Sequence, residues 1–374
     1  MNDRSRTIAI ACSSPTEKSE PFIEHIKQRI KGEKYFLYGD NLPKFAVGVG
    51  PLSYYPGFIY SQIRKTCKKF GINYDSPLVE GIKRFLKEKK IQIVLSEFGS
   101  TGAKMAPICK ELGLPHIVHF HGGGDVDSKL NIKNFREEYL FMFEHASAVI
   151  GVSEDMKFDL NKIGCDFSKI NIIPYGPDDV FSKITPDFQY PTFLFIGRFV
   201  DQKAPYYLLE AFRKVLQQIP NAKLLMIGDG PLLNTCKNLA RLWTMNDYVN
   251  FVGYLDHKLL PEYLMKAFCY VQHSIVAEDG CSEGTPVSIL EASLAGLPIV
   301  STFHKGIKQA VIHSETGYLV EEHDVNRMSE YMVELANNLD MAKTMGDKGR
   351  YHIKKCYSMQ KYIDSLDSLI GKFI

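Results

Sequence analysis

Short, near-continuous apolar runs recur along the chain, separated by longer stretches in which apolar residues return every third or fourth position. Residues 8–11, 91–95, 116–120, 148–152 and 170–173 read as buried strands. Between them, residues 77–89, 101–112 and 153–163 carry the spacing of amphipathic helices. Apolar strands alternating with helices indicate a parallel sheet covered on both faces. The alternation pauses near Pro174, Gly176, Pro177, Pro186 and Pro191, where turn formers are dense and periodicity is lost. A second series follows, with strands at 192–196, 222–227, 249–252, 269–272 and 298–301 and helical patterns at 203–218, 231–243, 287–296 and 325–338. The pattern predicts an α/β protein of two doubly wound, Rossmann-like domains, 1–180 and 181–357. Two such domains face each other across a cleft where the carboxyl ends of strands meet and ligands bind.

The length of 374 residues agrees with two domains. Hydrophobic residues make up 45% and charged residues 24%, which excludes long disorder. A net charge of +2 supplies no overall field toward nucleic acid, so none is expected as a partner. Eight cysteines without a CxxC pair read as reduced thiols of a cytoplasmic protein. The first apolar run is too short for a signal segment, and no later run reaches the length of a membrane span. Residues 61–90 hold nine Lys or Arg against three Asp or Glu, beside an aromatic stretch at 52–60. Two readings of this region stand open: a solvated helix face with core aromatics, or a peripheral contact with an anionic membrane surface.

The densest chemistry lies in residues 278–302, EDGCSEGTPVSILEASLAGLPIVST. Thr285 followed by Pro286 predicts a hydroxyl N-cap with proline at the first helical position, and Gly296 predicts the helix end. The N-terminus of such a helix suits a diphosphate. Glu283 and Glu291 would repel that ligand unless they accept hydrogen bonds from hydroxyls flanking it. Taken alone, they also fit a capped helix with solvent-facing acids. The segment E-G-T-P-V-S-I-L-E-A-S-L-A-G-L-P-I-V resembles the E-x7-E segment of the retaining glycosyltransferases of family 4, which have the two-domain GT-B fold. The wider run is similar to members that build bacterial exopolysaccharide and lipopolysaccharide, of the colanic-acid type.

The resemblance implies that Glu283 contacts the donor sugar and Glu291 the nucleotide ribose, with Gly284, Thr285, Pro286 and Val287 on the donor side. Residues 195–205 resemble the family's G-R-x4-K-G segment, in which Gly197, Arg198 and Lys203 would hold the diphosphate; Ala204 replaces the usual glycine. A guanidinium and an ammonium are suited to neutralising charge on a departing diphosphate. Gly228 and Gly230, and Tyr254 in the next loop, look like the family loops that bracket the nucleobase. His121, in His119-Phe120-His121-Gly122-Gly123-Gly124-Asp125, is similar to the histidine beside the donor sugar. Asp125 and Glu20 fall on the acceptor side, though the double glycine common near Glu20 is missing. Tyr175 stands where asparagine is usual, and Lys305-Gly306-Ile307-Lys308-Gln309 replaces a glycine-glycine-isoleucine-proline-glutamate run. In this fold a C-terminal helix, here 358–374, crosses back to the first domain.

Other chemistries fit less well. An esterase would need G-x-S-x-G, and the nearest match, Gly151-Val152-Ser153-Glu154-Asp155, lacks the last glycine. Asp125-x-Asp127 fits a metal-binding pattern without companion ligands, and the first strand is not followed by G-x-G-x-x-G. A nucleotide-sugar epimerase and a non-catalytic nucleotide-sugar-binding partner share the fold. The expectation is a metal-independent, retaining hexosyltransferase without a cofactor. It would move sugar from a nucleoside-diphosphate donor, such as a UDP-sugar, to a glycan or glycolipid hydroxyl. Its place would be the cytoplasm, with peripheral contact at the membrane under the second reading of residues 52–90.

Overall fold

The computed structural model describes residues 6–14, 21–53, 76–122 and 124–374. Each apolar run of the first series forms a strand, buried throughout at 93–97, 116–119 and 148–151 and more open at the edge strand 170–172. The strands are β1 (Thr7–Ala11), β2 (Glu33–Tyr38), β3 (Phe45–Ala46), β4 (Gly50–Pro51), β5 (Ile93–Glu97), β6 (His116–His119), β7 (Ala148–Gly151) and β8 (Ile170–Ile172). They form a sheet in the order β4-β3-β2-β1-β5-β6-β7-β8, parallel except where β3 pairs with β2 and β4. The second series forms β9 (Thr192–Ile196), β10 (Lys223–Ile227), β11 (Val249–Gly253), β12 (Cys269–Gln272), β13 (Ile299–Thr302) and β14 (Gly317–Val320). Their order is β11-β10-β9-β12-β13-β14, parallel throughout. Both orders reverse direction beside the first strand of the sheet, which places a crevice at the carboxyl ends of β1 and β5 and of β9 and β12.

Two local expectations are corrected. The helix of the E-x7-E segment spans Val287–Leu294 with Pro286 in the cap position and no side-chain cap bond. Thr285 is not the cap, because its hydroxyl donates to the buried Val152 carbonyl across the cleft at 3.3 Å. The helix expected from residue 203 begins at Pro205, because Asp201–Lys203 forms a separate 3-10 turn. Ala204 joins the two at φ +34°, in the left-handed region where the family's glycine is at ease.

Several polar contacts tie the two halves together. Lys305 Nζ reaches Asp159 at 2.6 Å and Lys308 Nζ reaches Asp155 at 2.7 Å, so both unusual lysines grip the helix Glu154–Lys162 of the first half. The Lys129 amide donates to the Asp279 carbonyl, and the Ser282 hydroxyl donates to Asp127. The helix Met359–Ile370 packs on the first half, where Asp367 accepts from Arg6 at 2.8 Å and from the Lys31 amide at 3.0 Å. Among the described cysteines all are free, and Cys12, Cys109, Cys165, Cys236 and Cys269 are buried. No described helix is long and apolar enough to cross a membrane. Most of the basic and aromatic region at 52–90 lies outside the described residues, and in its described part Lys83 is buried against Glu80 and Glu111.

Candidate active site

Between the sheets lies a cavity of about 950 Å³. Its floor is built from the turns that leave β9, β10 and β11. The Gly197 amide donates to the Ile227 carbonyl at 2.9 Å, and the Gly228 amide donates to the Gly253 carbonyl at 2.8 Å. These close approaches demand glycine. A Cβ on Gly228, at φ +132°, would lie 2.0 Å from the Gly197 carbonyl oxygen, and one on Gly197 would lie 2.7 Å from the Lys203 stem. The stem therefore passes directly over Gly197 to bring its ammonium into the cavity.

The cavity gathers His121, Gly197, Arg198, Lys203, Gly228, Gly230, Tyr254, Glu283, Gly284, Thr285, Pro286, Val287 and Glu291. Arg198 is exposed to it, and among the described residues no acidic partner neutralises the guanidinium. Lys203 pairs with Glu283 at 3.0 Å, both side chains being 11% exposed. The first amides of the helix Val287–Leu294 have no intrahelical partner and open onto the same space. Arg198, Lys203 and this helix end form one electropositive wall, into which Glu283 and Glu291 project as hydrogen-bond acceptors.

Two of the sequence-expected residues stand apart. Glu20 lies outside the described residues. Asp125 does not line the cavity: it is buried, and its carboxyl accepts from the Gly99 amide at 2.8 Å and from the His121 amide at 3.3 Å. Burial nevertheless pushes its acid up to about 7. Asp125 thus clamps the loop that carries His121. Asp127 points elsewhere, accepting from the Gly124 amide and Ser282, so Asp125 and Asp127 do not form a shared metal-binding pair.

The surroundings of the glutamates were not apparent from sequence spacing. The Glu283 amide donates to His304 Nε2 at 3.1 Å, and His304 Nδ1 donates to Glu322 at 2.5 Å. Burial would raise the Glu322 carboxyl, but the His304 hydrogen bond and the Val276 amide outweigh it and hold it low. Buried Glu291 accepts from His257 Nε2 at 2.6 Å. Burial pulls the His257 ring down, yet the Glu291 hydrogen bond and charge, with Asp178 and Asp256, lift it above the ordinary 6.5. A histidine raised on folding contributes stability that is complete below the unfolded value and is lost as pH rises through the folded one. Lowering the pH from 8 to 6 should therefore stabilise the wild type relative to His257→Gln. Equal responses in thermal unfolding would show that the pair is not formed.

The first half supplies an aromatic wall. His121 stacks on Phe22 at 4.4 Å between ring centroids and meets Phe98 at 4.6 Å. Its Nε2 lies 2.7 Å from buried Glu97 and its Nδ1 lies 2.5 Å from the Tyr175 hydroxyl. His119 stands behind, with Nδ1 3.2 Å from Glu97. Burial works against the Glu97 charge, but His119 and His121 hold the carboxyl down to about 2. Burial and the neighbouring His119 lower His121 to about 4, so its ring is neutral near pH 7. Among the described residues, Glu97, His119 and His121 bring one ligand atom each to within 4.8 Å of one another. Glu97 was not among the residues expected from sequence, where the strand was read at 91–95; a carboxylate at the carboxyl end of the apolar strand Ile93–Glu97 is the signal that could have found it.

Comparison with known proteins agrees with this geometry. A family model described as Glycosyltransferase Family 4 matches residues 45–180, and one described as Glycosyl transferases group 1 matches residues 178–352. The chain is 24% identical over 291 residues to the putative colanic acid biosynthesis glycosyltransferase WcaL of Escherichia coli K12, covering 75% of this chain and 70% of that protein. It is 28% identical over 250 residues to the amylovoran biosynthesis glycosyltransferase AmsK of Erwinia amylovora, covering 65% of this chain and 61% of that one. In structure it is similar to Anabaena Alr3699/HepE, solved in complex with UDP and glucose, with a TM-score of 0.78 at 13% identity over 98% of this chain and 100% of the other. Two adjoining family models that run through both halves, on two facing Rossmann-like sheets, place the chain among the family 4 glycosyltransferases with the GT-B fold.

Proposed function

We propose that the protein transfers a hexose from a nucleoside-diphosphate sugar to a hydroxyl of a glycan or lipid-linked glycan during cell-surface polysaccharide assembly, with retention of configuration. The observation that carries this reading is the electropositive wall of Arg198, Lys203 and the helix start at Val287, interrupted by two glutamates. A diphosphate fits the first three, and sugar and ribose hydroxyls fit Glu283 and Glu291. The colanic acid and amylovoran relatives support polysaccharide assembly, and the UDP complex of the Anabaena protein supports uridine as the base.

In the reaction the bond between the anomeric carbon and the diphosphate oxygen breaks as the acceptor oxygen bonds on the same face. The acceptor proton passes to the departing diphosphate. Charge developing on that diphosphate is met by the Arg198 guanidinium, the Lys203 ammonium and the helix amides. Their combined charge can do this without a divalent ion. Glu283 is already paired with Lys203, which suits it to accept a sugar hydroxyl rather than to attack carbon. The contacts across the cleft, Lys305 to Asp159 and Lys308 to Asp155, favour a closed site from which water is excluded.

Thermal unfolding with UDP, GDP or ADP, each with and without EDTA, tests the donor site. A nucleotide at 100 times its dissociation constant should add about 2.7 kcal/mol of stability. A stabilisation by UDP that survives EDTA is expected. Loss of the effect in EDTA would reject metal-free donor binding, and no effect of any nucleotide would favour a non-catalytic role.

A further inference from the structure

Glu97 is the last residue of β5 and has no exposed surface, yet its carboxylate lies in the wall behind the cavity. A carboxylate can only accept hydrogen bonds, so the 2.7 Å contact requires the proton on His121 Nε2. His121 Nδ1 then carries a lone pair, and the Tyr175 hydroxyl at 2.5 Å must donate to it. Phe22 stacked on one face and Phe98 tilted against the ring hold it in this orientation.

From this geometry we infer that Glu97 is a positioning residue for glycosyl transfer, fixing the tautomer and direction of the chain Tyr175–His121–Glu97 at the donor-sugar side of the cleft. The inference rests on the transferase reading for its effect on rate, but the tautomer it assigns does not. With both ring nitrogens engaged, His121 offers a bound sugar no free N–H. What it supplies instead is a fixed acceptor that directs the Tyr175 proton inward. This gives Tyr175, at the place where the family usually has asparagine, a definite partner.

The composition of the cluster supports a functional rather than a stabilising origin. Among the described residues, Glu97 Oε1, both ring nitrogens of His119 and the Tyr362 hydroxyl are buried without hydrogen-bond partners. His119 Nδ1 is 3.2 Å from Glu97 but out of line for a hydrogen bond. Unpaired buried polar atoms are costly, and a fold selected for stability alone would fill this position with apolar side chains.

The test compares wild type, Glu97→Gln and Glu97→Asp in the full-length protein. Nitrogen NMR of the histidine rings should show one His121 tautomer in the wild type, protonated at Nε2, between pH 6 and 8. Glu97→Gln, whose amide can donate or accept, should show a mixture of tautomers while unfolding near the wild-type temperature. Its kcat should fall on the order of 100-fold with little change in donor KM, and Glu97→Asp should restore part of that loss. A wild-type ring protonated at Nδ1, or unchanged kcat in Glu97→Gln, would overturn the proposal. So would zinc found at one ion per chain by elemental analysis and lost in Glu97→Gln, since the trio would then be a metal site. If no transfer is detected even in wild type, the transferase reading and the effect on rate fail with it, while a locked Nε2–H tautomer that mixes in Glu97→Gln still establishes that Glu97 sets the His121 tautomer.

Discussion

Replacing Lys203 by alanine lowers the rate of sugar transfer by on the order of 1,000-fold while nucleotide-sugar binding weakens much less. Removing one preorganised donor to developing transition-state charge has this size of effect, and Lys203 lines the cavity wall together with Arg198. Its ammonium is delivered over Gly197 and anchored 3.0 Å from Glu283. The substitution also strands the Glu283 carboxylate in a site where it is only 11% exposed, so some loss of stability accompanies the loss of rate. The double variant Lys203→Ala/Glu283→Gln separates the two effects: stability recovers and transfer does not. Single-turnover measurements on both variants decide the matter. Near-wild-type transfer in Lys203→Ala would remove this residue from the chemistry.

Gly228→Ala is the second large effect, and it acts through the backbone. The added methyl would sit 2.0 Å from the Gly197 carbonyl oxygen, at a φ of +132° that alanine rarely adopts. Neither neighbour can give way cheaply, because the Gly228 amide is bonded to the Gly253 carbonyl and the Gly197 amide to the Ile227 carbonyl. Strain and overpacking together should cost about 3 kcal/mol. The cavity floor should open, and the stabilisation of the protein by a nucleoside diphosphate should be lost. A variant that binds nucleotide like the wild type would show that these turns do not form the floor of the donor site.

Most of the parallel strands were legible because burial on both faces leaves a nearly unbroken apolar run; β14, only four residues long and opening on Gly317, was not. β2 was missed for the converse reason: it opens with Glu33 and Lys34, and only Phe36 and Leu37 are fully covered. The helix Lys129–His145 escaped notice because it buries only Tyr139, Met142 and Phe143 on a largely polar surface. In the site, the Arg198, Lys203 and Glu283 group was readable because the turns that carry it have a recognisable spacing. The partners that hold those residues were not. His257 meets Glu291 from 34 residues away and Glu97 meets His121 from 24, distances over which local pattern carries no information. Asp125 shows the opposite failure, since its place in a glycine-rich loop suggested the cleft and the unpaired Gly99 amide drew its carboxyl inward. Thr285 was read as a cap because a hydroxyl before proline usually is one, and a carbonyl on the facing half captured it instead.

The most direct measurement follows sugar transfer from UDP-hexoses to a lipid-linked glycan acceptor in the presence of EDTA, with the anomeric configuration of the product read by proton NMR. The expected result is release of one UDP per sugar transferred and a product with the configuration of the donor. An inverted product, or activity that requires a divalent ion, would contradict the mechanism. Failure to consume any nucleotide sugar with any acceptor would contradict the transferase reading itself.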